Sequence, residues 1–292
     1  MEIGTARVHH VALREFCVQV FVRLGLASDD SRIAADVLVV ADVRGVPSHG
    51  VARLQRYVNG LTTGVILPDA PVETVMDTPS SLVIDAHGAM GVPTSYRTME
   101  CVIEKARSVG SAFGCVRDSN HFGIAGYYAM MALDADMIGI AMTNTAALGV
   151  PTFGRQAMFG TNPLAFAAPA AEEGAFVLDM ATTVVTRGKV EVYDRLEKEL
   201  PLGWAVDKNG VAAKDAGALL EDFREMRGGG ILPLGGMGEH FGGHKGYGLA
   251  VMVDILCGGA LWRIVRIVTH GHQFILGPCE PFLWGIEDRS LP

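Results

Sequence analysis

Between residues 81 and 178 the chain repeats one pattern. Compact apolar runs at 81–84, 112–116, 138–143, 164–168 and 175–178 are separated by Gly, Pro and Asn turns. Runs this short, bounded by turn-forming residues, suit buried strands. Helical spacing interrupts them at 94–109. The pattern predicts an α/β fold built on a mixed sheet with few covering helices.

The flanks read differently. Residues 8–43 suit two amphipathic helices, with the SDDS at 28–31 offering capping oxygens to the second. A third helix is expected after Pro47, with Ser48 as its N-cap and Val51, Leu54, Tyr57, Val58 and Leu61 at helical spacing. Gly60, Gly64 and Pro68 would close it. After Leu200, PLGWAVDKNG reads as a hairpin or loop, and glycine concentrates at 228–248 before a buried helix at 247–261. Three parts result: a helical part at 1–75, a mixed α/β part at 76–261, and an atypical, apparently shortened segment at 262–292 where neither period continues.

Composition limits the partners. A net charge of -8 argues against nucleic acid, because phosphate contact needs clustered Lys and Arg. Cys17, Cys101, Cys115, Cys257 and Cys279 are odd in number and never spaced as CxxC, so a disulfide framework or structural zinc is not expected. The N-terminus shows no uninterrupted apolar leader, and the apolar stretch at 246–262 carries Asp254 and is short for a membrane span. A soluble, cytoplasmic protein without membrane contact is expected.

Four polar constellations could carry chemistry. In Ser48-His49-Gly50-Val51-Ala52-Arg53, His49 and Arg53 stand four apart, one turn of a helix. Arg53 could clamp the carboxylate of a 2-keto acid while His49 protonates its carbonyl oxygen, or both could lie on a solvated face. Asp118-Ser119-Asn120-His121 joins a strand to a helix; His121 could be a second acid/base, or Ser119 and Asn120 could cap the helix with His121 packed beneath it. Thr143-Asn144-Thr145, Gly160-Thr161-Asn162 and Asp179-Met180-Ala181-Thr182 end apolar runs and could hold ribose or phosphate, or be ordinary turns. Lys245, flanked by glycines before a helix, could contact a phosphate or carboxylate. His240, His244, His270 and His272 match no zinc spacing, and no metal is expected. Neither GxGxxG nor GxxxxGK[ST] occurs, so a nicotinamide cofactor would not sit in either familiar phosphate loop.

Six segments, SHGVARLQRYVNGLTTG, DSNHFGIAGYYA, GTNPLAFAAP, VLDMATTVVTRGKV, LPLGWAVDKNG and GGHKGYGLAVMVDILCG, follow one another in the order of the type-2 malate/L-lactate dehydrogenase family, which the chain resembles over residues 8–261. The resemblance implies a non-Rossmann, sulfolactate dehydrogenase-like fold and a homodimer with active sites near the interface. It implies NAD or NADP as hydride carrier and a small 2-hydroxy acid or 2-keto acid of the malate or lactate type as substrate. It makes His49 and His121 the acid/base candidates, with His49 favoured, and Arg53 and Ser48 the substrate contacts. Asn144, Thr145, Asp179, Met180, Ala181, Thr182 and Lys245 would line the cofactor. The helical part would then lie on the substrate side, with the mixed part binding cofactor. The segment from Trp262 departs from the family: only GHQFILGPCEPF resembles a later strand of its members, arriving early, and the expectation is that the segment does not rebuild the cofactor contact made there by relatives. The alternatives are a reductase of cyclic 2-imino acids, which needs the same carboxylate clamp, and a catalytically weak relative that binds ligand without turnover.

Overall fold

The computed structural model describes residues 7–259 and the strand at 273–276. Three helices come first: α1 (His10–Arg23), α2 (Ser28–Val43) and, after a 3-10 turn at Val51–Arg53, α3 (Leu54–Thr63). Their apolar faces bury Phe21, Val37, Leu38 and Tyr57 together with Met90 and Ile124. The SDDS segment does not cap α2 as expected. The helix begins at Ser28 after Ala27 and receives no side-chain cap. Asp29 and Asp30 instead lie in its first turn, paired with Arg32 and Arg97, where their charge also suits the helix dipole.

Then follow β1 (Glu73–Asp77), β2 (Ser81–Asp85), α4 (Gly91–Val109), β3 (Phe113–Arg117), α5 (Ala125–Met131), β4 (Gly139–Thr143), β5 (Leu164–Ala168) and β6 (Phe176–Met180). Helix α4 starts earlier than residue 94, because Pro93 falls in its first turn, where a missing N–H leaves no hydrogen bond unmade. The remaining elements are α6 (Arg187–Arg195), β7 (Ala205–Val206), α7 (Ala216–Glu225), β8 (Gly230–Ile231), α8 (Gly243–Asp254) and β9 (Gln273–Leu276). Helix α8 begins before residue 247 and passes into a π turn at Ile255–Gly259.

The main sheet is mixed. Its order is β1-β2-β3-β9-β4-β5-β6, with β2 and β3 parallel and every other pair antiparallel. Strand β9 fills the place between β3 and β4 although the tail sequence shows no periodicity. Four residues are too few to display a period of two. Apart from β9, the expectation for 262–292 lies outside the described residues.

Helices α4 and α5 cover one face of the sheet, around Val102, Val116, Tyr128 and Ala141. Helix α8 and the π turn after it close the other with Val253 and Cys257 against Val83, Cys115 and Met142. Helices α6 and α7 form a separate small core with Val190, Ala205 and Leu219. Among the described residues no helix is long and apolar enough to cross a membrane.

The approach of α5 to the sheet depends on one glycine. A Cβ on Gly139 would lie 2.1 Å from the Ala129 carbonyl oxygen, so β4 can pass beneath α5 only without a side chain there. Gly139→Ala is expected to destabilise the protein by about 1–3 kcal/mol, read by chemical denaturation. An unchanged midpoint and slope would show that this contact yields freely.

Candidate active site

The loop from α2 to α3 is held from within. The Asp42 carboxylate accepts the Val51 N–H at 2.8 Å and so caps the 3-10 turn. A Cβ on Gly50 would lie 2.0 Å from that carboxylate, so the cap requires glycine. Ser48 is therefore not the N-cap that helical spacing suggested. Its hydroxyl lies 3.0 Å from His49 Nδ1, and its carbonyl accepts from Arg53 Nε at 2.6 Å. Ser48, His49 and Arg53 are thus brought together by a turn rather than by a helical face.

Arg53 next reaches α6. Its Nη1 is 3.9 Å from Glu191, which also accepts from Arg187 Nε at 3.0 Å. A Cβ on Gly188 would press on the Arg53 guanidinium at 2.8 Å, so the glycine opening α6 leaves room for the arginine. Arg56, exposed, makes no hydrogen bond or ion pair among the described residues. Glu191 is the carboxylate paired with Arg53 and Arg187, and this corner carries an excess of positive charge.

His121 arrives from the β3–α5 loop and stacks on His49, with ring centroids 5.5 Å apart and planes 17° apart. The two histidines are 72 positions apart in sequence and lie face to face, both half-buried. Tyr57 of α3 meets His121 Nδ1 at 2.6 Å, and the Gly123 N–H reaches the same nitrogen at 3.3 Å. Burial, then the charges of Arg53 and Arg56, push His49 down to about 4. Burial also holds His121 well below the usual imidazole value, with Arg56, His49 and Arg53 adding to it. Both rings are neutral at pH 7. Ser119 and Asn120 do not cap α5. Asn120 Nδ2 donates to the Gly88 and Ala89 carbonyls, while the buried Ser119 hydroxyl finds no hydrogen-bond partner among the described residues.

The polar tips of β4, β5 and β6 converge in a second cluster. Asn162 Oδ1 accepts the Thr145 N–H at 3.1 Å, Thr145 Oγ1 accepts the Thr161 N–H at 3.0 Å, and the Thr161 carbonyl accepts the Thr182 N–H at 3.0 Å. Buried Asn162 also donates to the Ala250 carbonyl of α8 at 2.9 Å. Asn144 joins through Asp254, whose carboxyl is raised by burial and drawn back by side-chain hydrogen bonds from Asn162 and Asn144. Sequence reading missed Asp254, although an acid inside an apolar helix was the available signal.

Three other expected cofactor residues sit differently. The Asp179 carboxylate accepts the Gly126 N–H at 2.8 Å and so caps α5. Met180 ends β6 opposite Leu164, with Ala181 following it into the loop. Lys245 lies exposed in the first turn of α8, without a hydrogen bond or ion pair from its side chain among the described residues.

Two further features lie apart. Asp85, His87 and Asp118 approach one another within 4.8 Å. Arg117 already holds Asp85 at 2.6 and 2.7 Å, and His87 stands 3.5 Å from both Asp85 and Glu73, so the Asp85 carboxylate already has a cationic partner. A cleft of about 300 Å³ beside α4, lined by Leu67, Pro68, Met90, Pro93 and Arg97, contains none of the histidines or the second cluster.

A family model described as malate/L-lactate dehydrogenase matches residues 8–263. The malate dehydrogenase of Pyrococcus horikoshii is 46% identical over 88% of this chain and 70% of its own. The crystal structure of malate dehydrogenase from Entamoeba histolytica superposes with a TM-score of 0.86 at 33% identity, covering 94% of this chain and 79% of that one. Sulfolactate dehydrogenase from Methanocaldococcus jannaschii gives 0.79 at 33% identity, over 93% and 77%. The expected non-Rossmann fold is the fold of these proteins.

His49 generates a pH prediction. Its folded value lies below the unfolded imidazole value, so between about 6.5 and about 4 the unfolded chain binds a proton that the folded chain does not. The stability it contributes is present above 6.5 and declines as pH falls toward 4. An NMR titration is expected to place the His49 midpoint near 4, and a midpoint near 6.5 would contradict the site described.

Proposed function

Since the chain belongs to the malate/L-lactate dehydrogenase family and is an oxidoreductase of 2-hydroxy acids, we propose that its preferred substrate carries a second anionic group besides the 2-hydroxy carboxylate. The observation that carries this reading is the charge around His49. Arg53, Arg56 and Arg187 supply three guanidiniums, and Glu191 is the carboxylate among them. A dicarboxylate or a sulfonated carboxylate would neutralise that excess; lactate or a cyclic imino acid, with one anionic group, would leave part of it unmet.

In this reading Arg53 grips the 2-carboxylate with its planar fork, and Ser48 orients the His49 ring through Nδ1. Neutral His49 is ready to accept the hydroxyl proton as the alcohol is oxidised. In the reverse direction it must first take up a proton, which the negative charge of the bound keto acid favours. Hydride acceptance and donation are the chemistry that a nicotinamide dinucleotide supplies when bound. The residues fit such a group: neutral Asn144 and Thr145 offer partners for ribose and amide, while fully buried Thr182 would act only by holding the Thr161 loop behind them. Among the described residues the buried Ser119 hydroxyl lacks a partner, and the Lys245 ammonium is unpaired and available to a phosphate. Met180 and Ala181 would line the same site, while Asp179 would act through α5.

The chain is read as a homodimer. Phe153 and Phe241 are 79% and 87% exposed, with Met158 and Met237 also exposed nearby in sequence. A Cβ on Gly238 would lie 3.6 Å from the Phe153 ring, which places two of these loops side by side. Apolar side chains so exposed suit a second copy.

The test follows reduced nicotinamide absorbance against malate, sulfolactate, lactate and a cyclic imino acid, each with NAD and NADP. The dianionic acids are expected to lead in kcat/KM. Faster turnover of a monoanionic acid would refute the charge argument, and no turnover of any would favour a ligand-binding relative. Within that assay His49→Ala should lower kcat by about 100-fold or more. Arg53→Lys should lower kcat/KM at least roughly tenfold, because a point charge does not reproduce the fork. Lys245→Ala should weaken dinucleotide binding measured by calorimetry; unchanged affinity would remove Lys245 from the cofactor site.

A further inference from the structure

The two stacked histidines have different partners. Tyr57 is fully buried, set edge-on to Phe21 with ring centroids 6.2 Å apart, and its hydroxyl lies 2.6 Å from His121 Nδ1. The same nitrogen receives the Gly123 N–H at 3.3 Å. A backbone N–H can only donate, so Nδ1 must present its lone pair. The Tyr57 hydroxyl, 2.6 Å from an unprotonated nitrogen, must then donate its phenol proton to Nδ1.

We propose that Tyr57 is a positioning residue that, with the Gly123 N–H, fixes His121 as the neutral tautomer protonated on Nε2. His121 then serves the reaction as a hydrogen-bond donor, and His49 alone exchanges a proton with substrate. This rests on the functional reading above for its catalytic consequence, though the tautomer itself does not.

Several features hold this arrangement. Burial keeps the phenol protonated far above neutral pH, so its donor is always present. Gly123 stands at φ +84°, and a Cβ there would lie 2.5 Å from Val37 Cγ1. The loop can therefore bring its N–H to Nδ1 only with glycine at this position. A second proton on His121, at Nδ1, would face two donors and lie beside Arg56, Arg53 and His49. With Nδ1 already occupied, Nε2–H is the donor left to meet an oxygen of substrate or cofactor. His49 has no such lock. Its Nδ1 faces the Ser48 hydroxyl, which donates or accepts equally well, so its tautomer can change as the proton moves.

The experiment combines NMR with kinetics. In protein labelled with 15N-histidine, His121 is identified by loss of its signals in His121→Asn. Wild type is expected to show a protonated Nε2 and a bare Nδ1 for this residue. Tyr57→Phe keeps the buried ring and should fold; in it the two nitrogens are expected to move toward averaged shifts as the lock weakens. Losing one hydrogen bond of this kind should lower kcat roughly tenfold, with KM for the hydroxy acid little changed. The proposal is overturned if wild-type Nδ1 carries the proton, or if the shift change or the fall in kcat is absent. A higher KM at constant kcat would also overturn it, since that would mark Tyr57 as shaping the substrate site. A wild-type protein that turns over no 2-hydroxy acid would sink the functional reading instead, and the nitrogen shifts would still decide the tautomer.

Discussion

Two imidazole rings stacked at 5.5 Å beside Arg53 and Arg56 cannot both hold a proton at neutral pH. Each added positive charge would face the others in a partly dehydrated setting, where screening is weak. Much of the site follows from that. On the function proposed above, the rings would stay neutral until an anion arrived, and that anion would bring the charge that makes protonation of His49 favourable. Substrate binding and proton uptake would then be two aspects of one electrostatic event, with the excess of guanidinium over carboxylate setting how much negative charge the site accepts.

Holding such a pair in place requires rigid supports, and these come from packing. Tyr57 carries the side chain that meets His121, and it sits in the core shared by α1, α2 and α3. Val37 of α2 crowds Gly123, Asp42 of the same helix caps the turn that carries Arg53, and Asp179 ties the tip of β6 to the start of α5. The helical part and the sheet therefore meet at the site through contacts that tolerate only glycine or an acceptor oxygen. Small displacements there would be felt in the geometry of both histidines, which is why residues outside the reacting groups bear on the chemistry.

The broad plan was legible in the sequence because it rests on local patterns. Short apolar runs between turn residues marked β2 to β6, and helical spacing marked α1 to α4. Caps were not legible. Ser48 and the SDDS segment have capping side chains, yet Asp42 and Asp179 do the capping for the 3-10 turn and α5, from elements 9 and 53 positions away. A capping oxygen is chosen by proximity in space, and several side chains in a sequence are always chemically able to serve. Strand β9 escaped the reading of periodicity for a related reason, and only the likeness of GHQFILGPCEPF to a later strand of the family marked it: four residues gain their identity from the gap between β3 and β4 that they fill.

By itself the sequence determined the alternation of helix and strand, the acidic balance, and the presence of histidines, arginines and polar strand tips in a family order. Those properties depend on side-chain chemistry and on periods that run along the chain. Only the tertiary structure decided that His49 and His121 lie face to face, that Asp254 joins Asn144 and Asn162, and that Asp179 serves α5. It also decided the inequality of the two histidines. A tautomer is set by which donors face each nitrogen, and Tyr57 and Gly123 reach His121 from different elements that become neighbours only when the core closes around them.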